Sequence, residues 1–162
     1  MTLAIALLSS LIAAAVAVWG FQYQRASNRR RNTFEHIVKM EADQAFIDAR
    51  RKLIELSKTS AGLAVWAAED KEGSYEAQSI RLVLNQFEIV SIGIELGILD
   101  FETYKRWFQS TVIRFWAHSE HYVKSLRART NNPALFHEFE SMAQWMRDGR
   151  APPVRHRLFR IR

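Results

Sequence analysis

From Thr2 to Phe21 the chain carries no charged side chain. At about 1.5 Å rise per residue, such a segment makes a helix roughly 30 Å long, the thickness of a bilayer's hydrocarbon core. A chain of 162 residues seldom buries a helix that is apolar all round inside a soluble domain. The segment closes on Trp19, Phe21 and Tyr23 and then on Arg25, Arg29, Arg30 and Arg31, the order of an interfacial aromatic belt followed by a cytoplasmic stop-transfer cluster. A cleaved secretory peptide is the competing reading. Ala15 and Ala17 have small-x-small spacing, but nothing basic precedes Leu3, so the n-region of such a peptide is missing. The sequence therefore predicts an uncleaved single-pass anchor over residues 1–24 and a basic juxtamembrane segment over 25–32. The N-terminus would lie outside and the rest of the chain at the cytoplasmic face of a bacterial inner membrane. Ser10 with Ala14, and Ala13 with Ala17, have the small-xxx-small spacing through which spans self-associate, so homo-oligomerisation is a structural alternative.

The formal charge of +6 suggests nucleic acid until it is divided along the chain. Residues 1–31 hold four arginines and no acid, and residues 147–162 hold six arginines and Asp148, while residues 32–146 hold 13 basic against 16 acidic side chains. A nucleic-acid reader clusters its basic residues on a folded face, so no nucleic-acid partner is expected. Basic ends suit anionic lipid headgroups, with up to about 1 kcal/mol for each cation near the surface. The absence of cysteine excludes disulfides and thiolate metal sites.

Beyond the anchor every segment reads as helix. Asn32-Thr33-Phe34-Glu35 has the form of a capping box and predicts a helix to about Lys58, with Phe34, Ile37, Val38, Ala45, Ala49, Leu53 and Leu56 on one face. Residues 59–74 break the pattern, with one helical turn expected around Trp66. Gly73-Ser74 opens the next helix, whose stripe runs through Ile80, Val83, Leu84, Phe87, Val90, Ser91 and Ile94 to a stop at Gly97. Asp100 caps the following one, striped by Phe101, Tyr104, Phe108, Thr111, Phe115, Tyr122 and Leu126. So short a connection predicts an antiparallel helical hairpin. Asn131-Asn132-Pro133 supplies a break, a cap and proline at the first position of a last helix carrying Leu135, Phe136, Phe139, Met142 and Met146. The expected fold is all-α: one transmembrane helix, a bundle of about four helices over 33–148, and a basic tail, 149–162. In that tail, arginines alternate with Leu158, Phe159 and Ile161 as at a lipid surface.

Phe87-Glu88 inside one helix, the Gly-Ile-Leu turn at Gly97 to Leu99, Trp116, and Asn132-Pro133 ahead of the last helix together resemble a bacterial family, domain of unknown function 4760, over roughly residues 28–147. Its members are small, often single-span helical proteins, some in prophage regions. The family has no assigned activity, so the resemblance transfers no catalytic or binding residue.

Chemistry of the chain's own has two candidates. His118 and His121 stand three apart on one helix, where two imidazoles could share a metal ion. A third ligand would have to come from His36, His137 or an acid. Glu88, beside the core residue Phe87, is either a proton-handling carboxylate or the partner of Arg114 across the hairpin; an unpaired buried charge is costly, so a structural ion pair is the expected reading. There is no nucleophile elbow and no phosphate-cradling glycine loop, and no cofactor is expected. Trp107, Trp116 and Trp145 read as core or groove filling, with Trp66 and Trp145 as aromatic anchors for a protein partner. The function expected is that of an accessory subunit of a larger membrane complex, or a prophage or host-defence component, acting by protein–protein interaction. A metal- or carboxylate-dependent membrane enzyme is the alternative.

Overall fold

The computed structural model describes residues 2–153, and of residues 2–8 the backbone alone. Helix α1 runs unbroken from Thr2 to Ala42, roughly 60 Å at 1.5 Å per residue. The helix start expected at Asn32 therefore falls inside α1. No glycine or proline interrupts residues 21–42, so nothing obliges a break. The Thr33 hydroxyl donates back to the Arg29 carbonyl at 2.8 Å rather than capping, and Arg31 pairs with Glu35 one turn on. The chain breaks instead at Asp43, whose carboxylate accepts from the N–H groups of Ala45 and Phe46 and opens α2, Gln44–Ser57. Moving the break shifts the phase of the apolar stripe. Ile37 and Met40 of α1 and Phe46, Ala49, Leu53 and Leu56 of α2 are buried, while Phe34, Val38 and Ala45 face outward.

Residues 59–74 hold two 3₁₀ turns, Ala64–Ala67 and Glu69–Lys71, which press Leu63 and Ala67 into the core. The cap expected at Ser74 is present, its hydroxyl accepting from Ala77 N–H at the start of α3, Tyr75–Glu95. So is the cap at Asp100, which opens α4, Phe101–Thr130. Between them Gly97 turns the chain at φ +66°, a region glycine enters without a steric penalty. Gly93 also matters, because a Cβ there would meet the Leu99 side chain at 2.9 Å. The hairpin is antiparallel, as its cross-contacts show. The Phe87 and Phe115 rings lie 5.8 Å apart, and further from the turn Glu72, just ahead of α3, bonds Arg129. The helices of the hairpin meet through these long side chains, while the close backbone packing of α3 is with α2 and α5.

The last helix, α5, spans His137–Asp148, starting later than Asn132-Pro133 predicts. Asn131, at φ 49°, ends α4, and the Asn132 side chain caps only a local turn by accepting from Ala134 N–H. Phe87 is the hub of the core. Its ring stacks on Phe139 of α5 at 4.9 Å, meets Phe115 of α4, and takes Phe46 of α2 edge-on at 6.4 Å. Among the described residues there are five α-helices and no strand. Among them too, no helix is long and apolar enough to cross a membrane. The apolar segment read from the sequence begins at Thr2, and the side chains of residues 2–8 lie outside those described. Residues 154–162, most of the basic tail, lie outside them as well.

Candidate functional site

The N-terminal half of α1 lies open to its surroundings. Every side chain from Ser9 to Arg25 is exposed, and Leu11, Ile12, Val16, Val18, Trp19, Phe21 and Tyr23 are 57 to 70 % exposed. At 3.6 residues per turn these positions wrap the helix rather than forming one stripe. Folded proteins rarely leave so much contiguous apolar surface bare. Trp19 and Tyr23, one turn apart, stack with centroids 6.0 Å apart.

Below them the arginines separate. Arg25 and Arg29 share a face with Asn28 and Asn32, and this face closes a groove of about 400 Å³ against Gly97 and Ile98 of the α3–α4 turn. Arg30 looks toward Asp100 and Glu102 across a second cleft, and Arg31 is bonded to Glu35. The α3–α4 turn is strapped to α1 through Thr33, which is fully buried. Its hydroxyl accepts from Asp100 N–H at 2.7 Å while donating to Arg29. Nothing in the local sequence marks Thr33 as more than a helical residue, because its partner lies 67 positions on.

Glu88 does not pair with Arg114. The two stand at the same level of the hairpin, as the neighbouring Phe87–Phe115 contact shows, but on different faces. With Phe87 directed at the core, the 100° step per residue turns Glu88 toward α5. Its carboxylate accepts from Phe139 N–H at 2.6 Å and, more weakly, from Glu138 N–H at 3.4 Å. A helix begins with N–H groups that have no intrahelical acceptor, and Phe136, at the α5 cap position, supplies no side-chain bond. Glu88 therefore caps α5 from another helix. Ser91 adds a bond to the Glu138 carbonyl, and Arg127 holds Glu140 at 2.9 Å. Arg114 is exposed and lies over the Phe115 ring.

Burial raises the Glu88 carboxyl above the usual range, and the two N–H donors pull it back only in part. A carboxyl whose pKa is higher folded than unfolded makes the fold most stable below the unfolded value. Stability then falls as pH rises through the ordinary carboxylate range to the folded value. Glu88→Ala should cost about 2–3 kcal/mol by stranding two N–H groups, while Glu88→Gln, which keeps an acceptor, should cost less at neutral pH. In urea unfolding at about pH 4 and 7, wild type should lose stability relative to Glu88→Gln as pH rises. The opposite slope would restore a paired, depressed carboxylate.

His118 and His121 are exposed on α4, where the nearby Glu120 bonds Lys124. Among the described residues no group of three or more histidines and acids comes together as metal ligands. His36 is bonded through its ring to Gln86 of α3 at 3.2 Å, and burial lowers its pKa. The two tryptophans expected as exposed anchors are only partly open to solvent. Trp66 and Trp145 are half-buried against the core, Trp66 beneath the Lys71 ammonium, because the 3₁₀ turns and α5 fold their apolar sides inward. Trp116 is buried, whereas Trp107, expected to fill core or groove, is 62 % exposed. One surface the sequence reading missed runs along the outside of α3, where Leu82, Ile89, Ile92 and Leu96 are exposed. Their spacing of seven, three and four was the available signal.

Residues 7–146 match the family described as domain of unknown function (DUF4760), and the chain belongs to that family. The match starts inside the apolar segment, further forward than the motifs alone reached. Three of those motif residues meet at one place: Phe87 and Trp116 both pack on the Phe139 ring, and Glu88 takes its N–H. No curated protein and no solved structure matches the chain.

Proposed function

We propose that this DUF4760 member is anchored by the first half of α1 in the bacterial inner membrane. Its helical domain is held at the cytoplasmic face, and it works by binding another protein, as an accessory subunit of a larger membrane complex or as a prophage or host-defence component. The observation that carries the anchoring is the exposed helix from Ser9 to Phe21, with apolar side chains around its whole circumference and no charged residue back to Thr2. Water is a poor solvent for such a surface, and a bilayer covers it without a dedicated protein groove. The arginines that follow favour the cytoplasmic side. Binding to a partner is supported by the outward stripe on α3, a helix whose other face is already buried in the core.

A reporter fused after Arg162 tests the orientation. A fluorescent protein there should be active, and an alkaline phosphatase inactive. Phosphatase activity would reverse the topology, and mature protein beginning near Val18 would replace the anchor with a cleaved peptide.

A further inference from the structure

We infer that the groove between α1 and the α3–α4 turn is a binding site for the phosphate of an anionic membrane lipid. This rests on the anchoring reading and adds a defined site to it. Arg25 and Arg29 are one helical turn apart, which places their side chains side by side, and neither has an ion-pair partner among the described residues. The Arg29 Nε–H is buried and has no hydrogen-bond acceptor, a cost that an oxyanion in the groove would remove once a small turn of the long side chain brought the Nε–H to it. No acid lines the groove, and Asn28 and Asn32 add amide donors beside the guanidiniums. Guanidinium forks match phosphate oxygens two by two. At one end Phe21 and Ile98 supply apolar walls, suited to the first carbons of an acyl chain.

The depth fits as well. The headgroup layer is about 5–8 Å thick on each side of the hydrocarbon. Arg25 lies about 6 Å beyond Phe21 along the helix and Arg29 about 12 Å, from where its long side chain can reach back. The Thr33 strap fixes the far wall, so the groove is built rather than induced. The other two arginines of the cluster face away, Arg30 toward Asp100 and Glu102 and Arg31 onto Glu35. The site is therefore specific to two of four cations in one short run.

The full chain in mild detergent would be titrated with short-chain phosphatidylglycerol, short-chain phosphatidylcholine and inorganic phosphate, following the guanidinium Nε–H signals by NMR. Phosphatidylglycerol should move the Arg29 signal. R25Q/R29Q should weaken binding roughly tenfold or more, whereas R30Q/R31Q, with the same loss of charge, should stay within about twofold. Arg25 is exposed, so R25Q alone should fold normally and still lose affinity. Equal losses in the two double variants would mean diffuse attraction and overturn the site. Inorganic phosphate binding as tightly as the lipid would reassign it to a free anion, and phosphatidylcholine binding equally well, since it carries the same phosphodiester beside a choline cation, would overturn the preference for an anionic lipid. Anchoring is scored separately by resistance to an alkaline wash. A chain that washes off but binds the lipid sinks the anchor alone, and one that resists while R25Q/R29Q binds normally sinks the groove alone.

Discussion

Ile12→Arg combined with Val16→Arg should release the protein from membranes into the soluble fraction. Both positions lie near the middle of the uncharged segment and are exposed, at 57 % and 60 %, so the new side chains meet no protein neighbour. Placing arginine near the centre of a spanning helix costs about 2.5–3.5 kcal/mol each on insertion scales. Two of them amount to about 5–7 kcal/mol, some four orders of magnitude or more in partitioning. Ile12→Leu with Val16→Leu should leave the protein in the membrane. Because Ile12 and Val16 are exposed and lie more than a turn ahead of the groove that α1 forms with Gly97 and Ile98, the unfolding midpoint of the helical domain should be unchanged in the released variant. Wild-type protein already in the supernatant after an alkaline wash would defeat the prediction, since a covering partner protein rather than lipid would then be holding the helix.

Phe87→Ala should be the most damaging truncation in the domain. The side chain is fully buried, and its ring touches aromatic rings of α2, α4 and α5 at once. Such a truncation loses both transfer energy and the contacts around the cavity, about 3–5 kcal/mol. For a domain of this size that is roughly 10–20 °C in melting temperature. Trp107→Ala removes a larger side chain, but Trp107 is mostly exposed, and surface changes usually stay within about 0.5 kcal/mol. Thermal unfolding of the two variants side by side checks the ranking. Similar losses would mean that Phe87 is not the joint between the helices, or that Trp107 is covered in the assembled protein.

The same residues show why part of the fold was legible beforehand. Ser74 and Asp100 cap the helices they were expected to cap, because a serine hydroxyl or aspartate carboxylate reaches the N–H three residues on and needs nothing from the rest of the molecule. The stripes of α3 and α4 were readable for a similar reason: a helix with one apolar face buries that face whatever its partner is. Asn32 and Asn132 carried the same local signal and neither capped a long helix. At Asn32 the chain had no reason to leave the helix it was already in. At Asn132 the side chain closed a turn of its own, and the cap of α5 came from Glu88, some 50 residues away.

The sequence by itself determined the helical class, the caps of α3 and α4, the hairpin between them, and the uncharged apolar segment with its aromatic and arginine border. All of these follow from interactions within about four residues or from the periodicity of a single helix. Only the tertiary structure decided that α1 continues to Ala42, that Glu88 serves α5 and leaves Arg114 in solvent, that Trp66 and Trp145 turn inward, and that Arg25 and Arg29 share a groove with Ile98. Each of these depends on which donors, acceptors and apolar faces remain unsatisfied once the helices pack, and distance along the chain carries no record of that.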